Sequence, residues 1–340
     1  MFHRRIPLVA TIFVMVAAAC SEQAAAPSAP SAEAVSAASG VASAMSDVAK
    51  AHVMELRTAA SENAAASKGG GGGNTGIFYH GGPVLQSGTK VVAIYWAAAP
   101  IYTGGPAAGT TGAGSQDGSN VGYFLSNLGG SPYFNINSTY TDGSGAKILN
   151  SVAYTNFWAN DASVPVNGAS VSDAQMVAML QSGLDAGKIA YDASTVYSIF
   201  TAGTVNLGGG FGTQYCAYHT HGTVTVGGSP KVILYAAMPY DYAYPSGCTA
   251  GAASPNGDPA ADAEVNTLAH EIEETTTDMM GSAWYDRRGY ENADKCAWKW
   301  GTTYTTANGG VANMKIGARD FLVQQNWVNA GSGGCVLSYP

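Results

Sequence analysis

The segment Asp262–Asp278, DAEVNTLAHEIEETTTD, decides how the rest of the chain is read. Val265, Leu268, Ala269 and Ile272 recur at helical spacing and form one apolar stripe, so the segment predicts a helix with a core-facing side. Upstream, Lys90–Trp96 (KVVAIYW) reads as a buried strand and Ser119–Leu128 as a short helix carrying Val121, Phe124 and Leu128. Lys147–Phe157 reads as a strand. In Ser172–Ala186, Ser172 is placed to cap a helix, Gln175 completes a capping box, and Met176, Met179, Leu180 and Leu184 share a side. Thr195–Phe200, Tyr215–Val226 and Lys231–Ala237 follow as strands. Strands and helices in this order predict an α/β (α+β) domain: a mixed sheet, then the Asp262–Asp278 helix, then an irregular C-terminal part.

That helix also carries the one constellation with chemistry in it. His270 and Glu274 stand four apart, which puts an imidazole and a carboxylate on one face with Cβ atoms roughly 5–6 Å apart, close enough to reach one cation. In HExxH sites the residue after the first histidine is the general base that takes a proton from metal-activated water. Here the pattern is HExxE: Glu271 holds the base position, and Glu274 stands where the second histidine would be. The carboxylate keeps a ligand while adding negative charge. Zinc accepts such oxygen donors, and is the expected cofactor, with manganese and calcium as alternatives. The competing reading is an ordinary amphipathic helix whose acidic residues face solvent.

A third ligand has to come from further along. Asp278 lies two turns from His270, far for a single ion. Glu291-Asn292-Ala293-Asp294 begins seventeen residues past Glu274, a spacing that resembles gluzincin metallopeptidases. The expected ligands are therefore His270, Glu274 and Glu291, with Asp294 orienting the histidine and Asp278 as an alternative. His219 and His221 would point to the same side of an extended Tyr215–Val226. They are read as hydrogen-bonded surface histidines, with substrate contacts or an extra metal ligand as the alternative, and His80 as structural. No G-x-S-x-G elbow is present, Gly208-Gly209-Gly210 lacks the lysine of a phosphate loop, and no carboxylate pair stands out for glycoside hydrolysis.

The start of the chain has a different texture. His3, Arg4 and Arg5 precede an apolar run, Ile6–Val16, that ends on Ala17-Ala18-Ala19 before Cys20. This predicts a signal peptide over 1–19 and, because the small residues abut a cysteine, lipidation of Cys20. Residues 20–76, rich in Ala, Ser and Gly and ending in Gly69–Gly73, read as a disordered tether, and 77–340 as a single globular domain. The remaining cysteines, Cys216, Cys248, Cys296 and Cys335, allow three connectivities. Cys216 with Cys248 and Cys296 with Cys335 is the expected pairing, since each bridge closes one local region. Charged residues make up only 11% of the chain and the net charge is −8, which argues against a nucleic-acid partner. The membrane is expected to be touched only through the N-terminal lipid.

Spread over the globular part are Tyr79-His80-Gly81-Gly82-Pro83-Val84-Leu85, Cys216-Ala217-Tyr218-His219, Thr277-Asp278 running to Ala283-Trp284-Tyr285, Glu291 with Cys296, and Phe321-Leu322-Val323 with Trp327 ahead of Cys335. With these segments the chain resembles the EXORDIUM/phosphate-induced protein family, in its bacterial branch. The resemblance implies an extracellular or wall-associated protein linked with growth responses, without an established reaction. The mixed sheet followed by a metal-bearing helix is also similar to zincin metallopeptidases. Together these readings lead to a secreted or lipid-anchored zincin-like metallohydrolase, a peptidase acting on peptide or a cell-wall polymer, with a noncatalytic wall or carbohydrate-interaction protein as the alternative.

Overall fold

In the computed structural model of the chain, residues 53–60 and 76–340 are described. The predicted signal peptide, Cys20 and the Gly69–Gly73 run lie outside them. The architecture is a mixed seven-stranded sheet with helices on both faces. Its strands are β1 (Val53–Glu55), β2 (Thr89–Trp96), β3 (Thr111–Ala113), β4 (Val152–Asn160), β5 (Thr195–Thr201), β6 (Tyr215–Val226) and β7 (Ser229–Met238), in the spatial order β1-β6-β7-β5-β2-β4-β3. The central pairs β7/β5, β5/β2 and β2/β4 are parallel, while β1/β6, β6/β7 and β4/β3 are antiparallel.

Central parallel strands are covered on both faces, which is why they read as continuous apolar runs. All of β5 is buried, and in β2 only Lys90 reaches solvent, where it pairs with Asp192 at 2.7 Å. The β6–β7 hairpin turns through Gly227 and Gly228 at φ 57° and 76°. Both angles are left-handed, the geometry a two-residue hairpin turn needs and glycine adopts without a Cβ penalty.

One face of the sheet packs against helix α1 (Asn120–Leu128), helix α3 (Pro259–Thr277) and the short C-terminal hairpins; the other packs against helix α2 (Asp173–Asp185). The Ser172–Gln175 capping box forms. Both expected disulfides, Cys216–Cys248 and Cys296–Cys335, are present. The second strand in chain order among those predicted is offset: β4 is Val152–Asn160, not 147–157, because Ile148 is buried in a separate small cluster with Ile77, Tyr140 and Trp327 rather than on the sheet.

The helix α3 is set by its ends. The Asp258 carboxylate accepts the Ala261 N–H at 3.1 Å, with Pro259 in the first turn where a missing N–H costs nothing. At the other end Asp278 accepts the N–H groups of Ser282 and Ala283 at 2.6 and 2.8 Å, so this residue builds the exit turn. Thr275 and Thr276 donate back to the carbonyls of Glu271 and Ile272 at 2.6 and 2.7 Å, satisfying hydroxyls that have no water to turn to. Every residue from Glu264 to Asp278 is buried. The reading of α3 as a helix with a solvated acidic face is thereby overturned, since β6 and the C-terminal segments cover the side left open by the apolar stripe.

The tether reading also differs over residues 53–60. There β1 pairs antiparallel with β6, a helical turn follows at 57–60, and Met54 is fully buried. A three-residue strand in an Ala-rich context leaves almost no periodic signal; its order comes from the sheet edge it pairs with.

Candidate metal centre

The side chains of interest come from three places. His219 projects from β6 toward α3; His270, Glu271 and Glu274 lie on α3; and Glu291 and Asp294 sit on the segment entering the 3-10 turn Asp294–Cys296. That segment has no regular structure, yet it is firmly held. Gln324 donates to the Ala293 carbonyl at 2.9 Å, the Asn292 carboxamide donates to the Glu273 carbonyl at 3.4 Å, and Cys296 is tied to Cys335. Asn326 donates to Glu273 Oε2 at 2.6 Å, which places Glu273 away from the cluster as a structural residue. Lys295 pairs with the buried Asp286 at 3.1 Å.

Glu274 is the centre of the arrangement. Its Oε1 lies 3.0 Å from His270 Nε2 and accepts the Asp294 N–H at 2.9 Å, while its Oε2 lies 3.6 Å from His219 Nε2. Asp294 Oδ1 is 3.4 Å from His270 Nε2, and Glu291 Oε2 is 3.1 Å from His219 Nε2. The Glu291 N–H donates to Asp294 Oδ2 at 3.2 Å. Two ligand-capable trios result, His270–Glu274–Asp294 and His219–Glu274–Glu291, each with its donor atoms within 4.8 Å of one another, and they share Glu274.

This placement departs from the predicted roles in three respects. Asp294, expected behind the ligands, stands with His270 and Glu274; Glu291, expected on His270, stands with His219; and His219 is buried against two carboxylates rather than at the surface. His221 is exposed, and Asp278 spends one oxygen on its turn. His80 stacks on Tyr285 with ring centroids 3.7 Å apart, away from the cluster. The signal for His219 was present in the sequence: residues 217, 219 and 221 share one strand face, and Ala217 packs in the core that contains α3.

Electrostatics follow from burial. Burial alone would depress the histidines, but Glu274 and Asp294 around His270, and Glu291 and Glu274 around His219, outweigh it and hold both well above the ordinary imidazole range. Burial would likewise raise Glu274, yet His270 and His219 pull it down to about 2. Asp294 is pushed up to about 7, first by burial and then by the Glu274 charge. Burial pushes Glu271 up as well, and neither of its carboxylate oxygens has a hydrogen-bond partner among the described residues. A carboxylate buried without partners is costly, and such a group calls for a proton or a cation.

A second buried acidic pair, not anticipated from the sequence, sits nearer the start of α3. Asp241 accepts the Thr267 hydroxyl at 2.5 Å and donates its N–H to Glu264 Oε2 at 3.3 Å. Burial lifts Glu264 to about 8 and Asp241 well above the carboxylate range. Cys216 and Cys248 lie close to Asp241, but their sulfurs are spent on each other.

No helix among the described residues is long and apolar enough to cross a membrane, and the two disulfides are consistent with an extracellular protein. Searches of curated proteins and of solved structures gave no match. The family description that does match is the phosphate-induced protein 1 conserved region, over residues 129–321. That span takes in His219, His270, Glu271, Glu274, Glu291 and Asp294 and covers more than half of the chain, so the chain belongs to the phosphate-induced protein 1 family.

Proposed function

We propose that the chain is an exported metallohydrolase, a peptidase of zincin-like design, with zinc as its ion. The observation that carries the reading is the convergence of two imidazoles and three carboxylates around Glu274, with Glu271 beside them buried and without hydrogen-bond partners. Two nitrogen donors among the five side chains suit zinc, which takes histidine and carboxylate together, better than calcium, whose ligands are oxygens. His270, Glu274 and Asp294, or His219, Glu274 and Glu291, would hold the ion.

A divalent ion there supplies Lewis acidity and a water of lowered pKa. The residues of the chain do the rest. Glu271 follows His270 directly and is placed to accept the proton of the attacking water on a carboxylate oxygen and to deliver it to the departing amine nitrogen. The two histidines and Glu274 orient one another, and the sheet and C-terminal turns exclude bulk water. Export is supported by the N-terminal pattern of basic, apolar and small residues together with the disulfides.

The test is metal content of the purified full chain, followed by Glu271→Gln. Stoichiometric zinc is expected, with Glu271→Gln retaining the metal and lowering peptide hydrolysis by about 10²–10⁴-fold. Absence of stoichiometric metal, or unchanged hydrolysis in Glu271→Gln, overturns the proposal. Stoichiometric metal without hydrolysis points to the second reading, a noncatalytic envelope protein with a structural ion. The near-zero exposure of the cluster is what keeps that reading in view.

A further inference from the structure

His219, His270, Glu271, Glu274 and Glu291 are each at most 1% exposed, so a reaction on an external substrate requires some element to leave. The element whose departure costs the fold least is β1. It stands at the sheet edge, where its one strand partner is β6, and the other six strands remain paired without it. It also lies over the cluster. In the register, Val53 faces Tyr218 and Met54 faces Ala217, and since Ala217 and His219 share a strand face, the fully buried Met54 side chain is on the cluster side of the sheet. β1 packs against both α3 and the Asp294–Cys296 turn.

We propose that the edge of β6 beside His219 is a cleft for an extended polypeptide, and that residues 53–60 occupy it in cis as an autoinhibitory strand; the inhibitory part rests on the hydrolase reading above. The contacts suit a replaceable occupant. The backbone ladder with β6 is interrupted between Met54 and Glu55. At the end of the strand Trp298 Nε1 donates to the Glu55 carbonyl at 2.8 Å, and beyond it the Arg57 guanidinium donates to the carbonyls of Ser246 and Ala250 at 2.9 and 3.2 Å. Main-chain pairing of this kind gives affinity with little demand on sequence, and an edge strand whose partner leaves is a template for another. Residues 61–75 connect β1 to the rest, so a strand held in cis acts at an effective concentration of about millimolar and excludes weaker peptides in solution. Severing that connection turns the strand into an ordinary competitor that can be washed away.

The experiment uses the full chain with residues 62–67 replaced by a recognition sequence for a site-specific protease. The probe is a fluorescent peptide of residues 53–60, VMELRTAA, added to uncut and to cut, washed protein, with amide exchange across β5, which does not touch β1 in the sheet, as the control for folding. Cut protein is expected to bind the probe at least 10-fold more tightly than uncut, and to hydrolyse a quenched peptide at least 10-fold faster. In the uncut chain, Met54→Asp is expected to raise amide exchange at Tyr215–Tyr218 without altering exchange in β5. Equal probe binding before and after cutting, with unchanged exchange in Met54→Asp, overturns the proposal. Hydrolysis that is equal in cut and uncut protein overturns the inhibitory role and leaves the hydrolase standing. Probe binding by cut protein in chelator, with no hydrolysis when zinc is supplied, overturns the hydrolase reading and with it the inhibition, while the polypeptide cleft stands.

Discussion

The two ends of α3 bury carboxylates in different ways. Near its start, Glu264 and Asp241 have a hydroxyl and a backbone N–H for company, with no imidazole among their bonded partners. Near its end, Glu274 lies between two histidines and receives a backbone N–H from Asp294. The first pair is pushed toward holding a proton; Glu274 is pulled toward keeping its negative charge. The same helix therefore shows that burial by itself does not set the state of an acid. What decides is whether a group able to carry positive charge is within reach.

The sharpest way to break this contrast is Glu274→Gln. Removing the charge leaves two buried imidazoles facing a neutral amide, and losing one partner of a buried pair costs about 3–5 kcal/mol. Urea unfolding in chelator should show a loss of that size, and metal retention should fall to background when chelator is omitted. A loss under about 1 kcal/mol would mean that the two ends of the helix are energetically alike.

Glu264→Gln tests the other end through pH. The folded value for Glu264, about 8, is above the ordinary 4.5, so between these values the unfolded chain has released a proton that the folded chain keeps. Stability contributed by the protonated group is full below the unfolded value and is lost as pH rises through the folded one. The native chain should thus lose about 3–4 kcal/mol from this source between pH 5 and 8, a loss that Glu264→Gln abolishes. Parallel stability–pH curves for the two proteins would show that the pair carries no extra proton. The smallest effect is expected for Thr267→Val, which removes the hydroxyl bonded to Asp241 and should cost about 1 kcal/mol at pH 5. Denaturant titration measures it, and no change would show that the carboxyl finds another donor.

Much of this fold can be read from residue order because its elements announce themselves. Tyr215–Val226 runs as a strand over the predicted bounds, and the Ser172–Gln175 box forms. The start of α3 at Pro259 was also written in the chain, in the Asp258-Pro259 pair that caps it, although apolar spacing alone placed the start at Asp262. The site was less legible. His270, Glu271 and Glu274 declare themselves by helical spacing, but Glu291 and Asp294 lie on a segment without periodicity, and which of them stands beside which histidine depends on a tertiary path. Asp241 was silent for the same reason, and β1 because three residues cannot establish an alternation.

The bridge from Cys296 to Cys335 has a consequence for when this centre is complete. Asp294 is two residues from a half-cystine, and the turn that presents it is bound covalently to the last hairpin. Where thiols stay reduced, that covalent restraint is missing, and only hydrogen bonds such as Gln324 to Ala293 and Asp294 to Glu274 hold the turn against α3. Oxidation would then act as a maturation step that fixes the acidic centre in place.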